Sequence, residues 1–207
     1  MPIRGCGLGR AYDRTRYVFL IRVPREVEVH IEDIFLNLQG TTKPVMGYHV
    51  TVFGPFELSE GADPLSLTGV AEVCQRQAPF EVELAGLGGF VSHDDNAIFV
   101  HLVDPVEIMQ LHASLLAVLG DQVQFPDERA RAWNLHDYRP HVTLGLSLTD
   151  RQFESLLRAA ADRHCHARFG AQEVTLMIQR PNEPWRQVAT YPLGLAAQLP
   201  SDASHPF

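Results

Sequence analysis

The sequence predicts an α+β fold, a duplicated chain of two lobes, and three observations point that way. Short runs with apolar residues at every second position alternate along the chain with longer runs at helical spacing. The order of these runs in residues 17–96 recurs, loosely, in residues 97–194. One tetrapeptide stands at a matching place in each half, as His49-Val50-Thr51-Val52 and as His141-Val142-Thr143-Leu144. A single bilobal domain is therefore expected over 17–194, with lobes of roughly 17–96 and 97–194. Residues 1–16 read as a flexible arm and 195–207 as a loose tail.

The elements follow in order. Tyr17-Val18-Phe19-Leu20-Ile21 is a strand candidate, and Val27, Ile31, Ile34, Phe35 and Leu38 recur as one helical face with Gly40 as the stop. The first His tetrapeptide is a strand ended by Gly54-Pro55. Asp63-Pro64 joins a capping residue to a proline at the first helical position, and opens a helix with Leu67, Val70, Ala71 and Cys74 inside. Phe80, Val82 and Leu84 alternate as a strand. The second half begins with a strand from Ala97 to Val103. Asp104-Pro105 opens a helix with Ile108, Leu111, Leu115 and Leu119 inside, ended by Gly120. An irregular stretch leads to the second tetrapeptide. Thr149 and Gln152 form a capping box for a helix that buries Phe153, Leu156, Leu157 and Ala160. Val174, Leu176 and Ile178 mark a strand, and a turn through Pro181 and Pro184 leads to a last one, Trp185 to Tyr191.

Composition limits the function. The chain has 207 residues, 45% apolar and 20% charged, which suits one globular domain. It holds no apolar run near the ~18 residues that a membrane span needs. Met1 to Arg16 carries Arg4, Arg10, Arg14 and Arg16 without an apolar centre, so no secretory signal is read. Cys6, Cys74 and Cys165 are odd in number and widely spaced, which suggests a reduced, cytoplasmic protein without disulfides. A formal net charge of −8 argues against tight binding of long nucleic acid but leaves room for a small phosphorylated ligand. A monomer is expected.

The tetrapeptides carry the chemistry. Residues i and i+2 of a strand share a face, so each motif presents an imidazole beside a hydroxyl and buries its apolar residues behind them. A histidine alone is more often a core residue satisfied by a carbonyl. Two His-x-Thr strands in matched positions instead suggest half-sites facing one another across a cleft. One imidazole then accepts a proton from the attacking water or hydroxyl and the other, protonated, donates to the leaving oxygen. The Thr51 and Thr143 hydroxyls suit the non-bridging oxygens of a phosphodiester, and imidazolium offsets charge in the transition state. Such a site needs no metal.

With these two motifs, and in its order of elements over residues 17–193, the chain resembles the 2H phosphoesterase superfamily, and within it the bacterial 2′-5′ RNA ligase and cyclic phosphodiesterase branch. The resemblance implies two antiparallel sheets forming a concave groove with helices packed outside. It also implies metal-independent opening of 2′,3′-cyclic phosphates or cleavage of 2′-5′ linkages, without a cofactor. It makes His49 and His141 the catalytic pair and gives the phosphate to Thr51 and Thr143. Related cyclic phosphodiesterases suggest His141 as base and His49 as acid, an assignment this sequence does not itself make. One departure concerns the basic residue that many RNA-ligase-like members carry after the second motif. Here Leu144-Gly145-Leu146-Ser147-Leu148 follows, which favours a small nucleotide or a short RNA end as partner. The alternatives are a nucleotide-binding module with little chemistry and a 2′-5′ RNA ligase.

Other candidates are secondary. Tyr48, Lys43 and Arg139 flank the histidines and are expected at the rim, Tyr48 and Arg139 as substrate-binding residues. The run from Arg129 to Arg139 mixes cations with aromatics and reads either as a lid that stacks a base or as a solvated loop anchored by Trp133. Arg180 reads as a surface charge. His164-Cys165-His166 lacks the partners of a metal site, and Gly7-Leu8-Gly9-Arg10 lacks the strand and helix of a phosphate loop.

Overall fold

The computed structural model describes residues 13–194 apart from 36, 37, 39–42, 66 and 94. The first twelve residues of the expected arm, the tail from 195, the Gly40 stop, Cys6 and the Gly7–Arg10 segment lie outside them. The described elements are β1 (Arg16–Arg22), α1 (Arg25–Phe35), β2 (His49–Leu58), α2 (Val70–Arg76), β3 (Phe80–Phe90), β4 (Asn96–Leu102), α3 (Val106–Leu119), β5 (Val123–Gln124), α4 (Glu128–Leu135), β6 (His141–Leu148), α5 (Asp150–Ala160), β7 (His166–Ala171), β8 (Glu173–Gln179) and β9 (Arg186–Pro192).

The α+β class and the antiparallel pairing are as expected. Strands pair in the order β7-β3-β4-β6-β2-β1-β8-β9, with β5 beside β2. Two four-stranded halves meet where β6 lies against β2, and only Val50 and Val142 pair there. The sheet curls about this seam. Its convex face buries Tyr17, Phe19, Ile21, Val50, Val52, Val82, Ile98, Val100, Val142, Val174 and Leu176 in one core with the apolar faces of the helices. The concave face carries both His-Thr pairs and is left open.

Membership of the halves follows pairing rather than chain position. β3 pairs with β4 beside the second motif, and β8 pairs with β1 beside the first. β3 of the first sequence half thus joins the second, β8 and β9 of the second join the first, and no cut at residue 96 separates the two sheets.

Several local expectations are corrected. β2 does not stop at Gly54-Pro55 but continues to Leu58, because Gly54 adopts φ 114 and its backbone finds side-chain partners. Asp63-Pro64 opens no helix: Asp63 Oδ1 accepts from the Leu65 amide in a local turn. α2 begins after Gly69, and Val73 rather than Ala71 completes its buried face. Leu157 is exposed, while Leu156 and Ala160 carry the inner face of α5. Its capping box forms as expected, with Thr149 accepting from the Gln152 amide. The stretch between α3 and the second tetrapeptide is not irregular but holds β5 and α4, and β7 precedes β8. Only Ala130 and Asn134 of α4 are buried, too few to show a helical period in the sequence. β7 buries only Phe169 and the small Ala171, so its alternation is faint.

Candidate active site

β2 and β6 set the geometry. Val50 and Val142, paired and fully buried, point to the convex core. Their neighbours His49, Thr51, His141 and Thr143 therefore project from the concave face. The antiparallel direction brings His49 toward Thr143 and Thr51 toward His141. All four are half-buried, and among the described residues neither threonine hydroxyl is taken up by a hydrogen bond.

Both imidazoles are held alike. His49 Nδ1 is 2.8 Å from the Gly47 carbonyl oxygen and His141 Nδ1 is 2.7 Å from that of Arg139. A carbonyl oxygen only accepts, so Nδ1–H donates in each case. Nε2, on the far side of the ring from the anchored nitrogen, is left to give or take a proton. Burial lowers the pKa of His49 below its ordinary 6.5, opposed by the Gly47 hydrogen bond and assisted by the charge of Arg22. Burial also lowers that of His141, opposed by the Arg139 carbonyl and assisted by repulsion from His49 and His101. The two rings thus lie within electrostatic reach of one another.

The adjacent strands flank each motif in the same register. Arg22 pairs with His49 and Leu20 with Thr51, while His101 pairs with His141 and Phe99 with Thr143. A pseudo-twofold through the Val50–Val142 pair relates the two half-sites, which share their His and Thr and differ in their flanks. The His141 ring lies 4.7 Å from Phe99 and 5.1 Å, edge-on, from Phe90. Gly88 makes room for this cluster: a Cβ there would stand 2.6 Å from the Phe99 ring and 2.4 Å from His101 Nε2. Beside it opens a hollow of about 390 Å³ lined by Phe90, Phe99, His101, Met109 and Arg139, among others. On the His49 side, Val18, Leu20 and Met177 form an apolar floor with Met46 and Trp185.

Behind the seam, side chains replace a neighbouring strand along β2. The Tyr138 hydroxyl donates to the Thr51 carbonyl at 2.8 Å. Asn134 accepts from the Gly54 amide at 2.9 Å and donates to its carbonyl at 3.3 Å. His112 stacks on Tyr138 and lies 2.8 Å from the Val52 carbonyl.

The structure separates the other expected site residues. Tyr48 does not reach the groove: strand alternation turns it opposite to His49, into the core at 1% exposure. Lys43 is also absent from the rim, being engaged by Glu28 and Glu32 of α1. Arg139 borders the hollow and orients His141 through its carbonyl. The 129–139 run is not a lid. α4 packs against the convex side of β2, with Trp133 edge-on to Tyr138 and Arg129 paired with Asp95. Arg180 lies at the surface near Glu183, and His166 bonds Glu83. Arg22, Phe90, Phe99 and His101 were not singled out from the sequence, where nothing distinguishes them until the pairing of β1 and β4 with the motif strands is known.

A family model described as the 2′-5′ RNA ligase superfamily matches residues 23–183. No curated protein matches the chain. Among solved structures, one titled only as a phosphoesterase superposes with a TM-score of 0.60 at 16% identity, covering 87% of this chain and 98% of its own. LigT of E. coli, in apo form, gives 0.58 at 16% identity over 88% and 99% of the two chains. TT0787 of Thermus thermophilus gives 0.57 at 18% identity over 86% and 98%. LigT has also been solved in complexes with 3′-AMP and with ATP.

Proposed function

The chain belongs to the 2′-5′ RNA ligase superfamily, and on that premise we propose that it is a metal-independent phosphodiesterase acting on 2′,3′-cyclic phosphates or 2′-5′ linkages through His49 and His141. One observation carries the reading. Both imidazoles stand on one concave face, anchored through Nδ1 with Nε2 left for proton transfer.

With a cyclic phosphate between them, one neutral Nε2 accepts a proton from water as the water oxygen bonds to phosphorus. The bond from phosphorus to one ribose oxygen breaks, and the other ring, as imidazolium, protonates that oxygen. Water is consumed, a phosphomonoester is released, and exchange with solvent resets the two protons. Thr51 and Thr143 hydroxyls hydrogen-bond the non-bridging oxygens on which charge accumulates. With a ribose 5′-hydroxyl in place of water and the bond from phosphorus to the 3′ oxygen as the one that breaks, the same two proton transfers form a 2′-5′ linkage, and their reversal cleaves it, so one geometry serves hydrolysis and ligation. The 3′-AMP and ATP complexes of LigT support a nucleotide as the ligand class.

The test is turnover of a panel of 2′,3′-cyclic nucleotides and 2′-5′ dinucleotides in the presence of EDTA. Hydrolysis of at least one, unaffected by the chelator, is expected. Activity lost to EDTA and restored by one metal overturns the mechanism.

A further inference from the structure

The groove is matched in its histidines and threonines but not in its charge. Arg22 stands in register with His49, where the other half-site has His101. Cross-strand partners of an antiparallel pair share a face, so the Arg22 head belongs to the groove. Its contact with Met177, part of the concave apolar floor, agrees.

We propose that Arg22 is a substrate-binding residue that holds an anionic phosphate oxygen on the His49 side of the groove. Its protein partners are all neutral: the Met46 carbonyl at 3.1 Å, Met177 sulfur at 3.3 Å and Gln187 Oε1 at 3.4 Å. Among the described residues no carboxylate pairs with it. The surface cations Arg25 and Lys43, by contrast, are neutralised by Glu28 and Glu32. These three contacts aim the guanidinium without cancelling its charge, and they leave part of a five-donor fork for a ligand. The apolar floor of Val18, Leu20 and Met177 strengthens any ion pair formed over it. β6 beyond His141 carries no cation. Arg22 thus offers phosphate a cation on the His49 side, while Arg139 borders the hollow on the His141 side.

The inference rests on the groove being a phosphodiester site, and inorganic phosphate binding separates the two claims because it needs no turnover. Arg22→Gln should weaken inorganic phosphate about ten- to hundredfold, as expected for a lost charge-assisted hydrogen bond. Arg22→Lys should fall between, keeping the charge without the fork. With substrate, Arg22→Gln should act chiefly on KM. If Arg22→Gln fails to fold, by circular dichroism, Arg22→Met decides in its place, since its chain packs on the same apolar floor. Phosphate affinity within twofold of the native protein in the folded variant overturns the inference, even if turnover is confirmed. Phosphate binding that depends on Arg22 in a protein without turnover upholds it and removes the reaction instead.

Discussion

A ring that donates Nδ1–H to a carbonyl two residues back can move protons only through Nε2, and His49 and His141 are both fixed this way. His49→Ala and His141→Ala should each lower turnover by about 10²–10⁴-fold with an unchanged circular dichroism spectrum. Near-native turnover in either variant would remove that residue from the chemistry. Burial depresses both pKa values below 6.5, so imidazolium is scarce in the free protein at neutral pH. The kcat/KM profile should be a bell with its maximum on the acid side of neutrality, its limbs belonging to the coupled pair; an optimum on the alkaline side would contradict this. The same shifts bear on stability. The unfolded chain takes up these protons first, so the stability is present above about pH 6.5 and is lost as pH falls through the folded values. Thermal melts should decline over that interval, and less steeply in the His49→Gln/His141→Gln double variant; equal slopes would show that the rings contribute nothing to it.

At the scale of elements, the seam needs support because β2 and β6 pair only at Val50 and Val142. Past that point Asn134, His112 and Tyr138 satisfy the β2 backbone from α3, α4 and the approach to β6. Asn134→Ala should destabilise the fold by about 1–3 kcal/mol in denaturant unfolding, since it leaves the buried Gly54 amide and carbonyl without partners. A change of only a few tenths would mean that the brace is dispensable. Elements with strong local signals were legible in the sequence. The Thr149–Gln152 box and the Ile108, Leu111, Leu115 and Leu119 stripe led directly to α5 and α3. α4 was not, because it is held by a buried asparagine and a capping Asp127 rather than by an apolar stripe. Tyr48 was misplaced by nearness in sequence, which in a strand means the opposite face.

For the whole molecule, the exchange of β3 and β8 between the halves makes each sheet depend on both parts of the chain. Unfolding should be a single transition. Trp133 reports on α4 and Trp185 on the concave floor beside β8. Single-tryptophan variants, Trp185→Phe and Trp133→Phe, should therefore give coincident midpoints in denaturant, and separated midpoints would show independently stable lobes. By itself the sequence determined the α+β class, the capping box of α5 and the Gly120 stop of α3, the two His-x-Thr strands and the four side chains they present together. Period, cap chemistry and alternation are properties of a few neighbouring residues. Only the tertiary structure decided which strands lie beside the motifs, and with them the placing of Arg22 and His101, the aromatic cluster around His141 and the brace behind Thr51. Those depend on backbone pairing between residues as distant as Leu20 and Thr175, which no local pattern records.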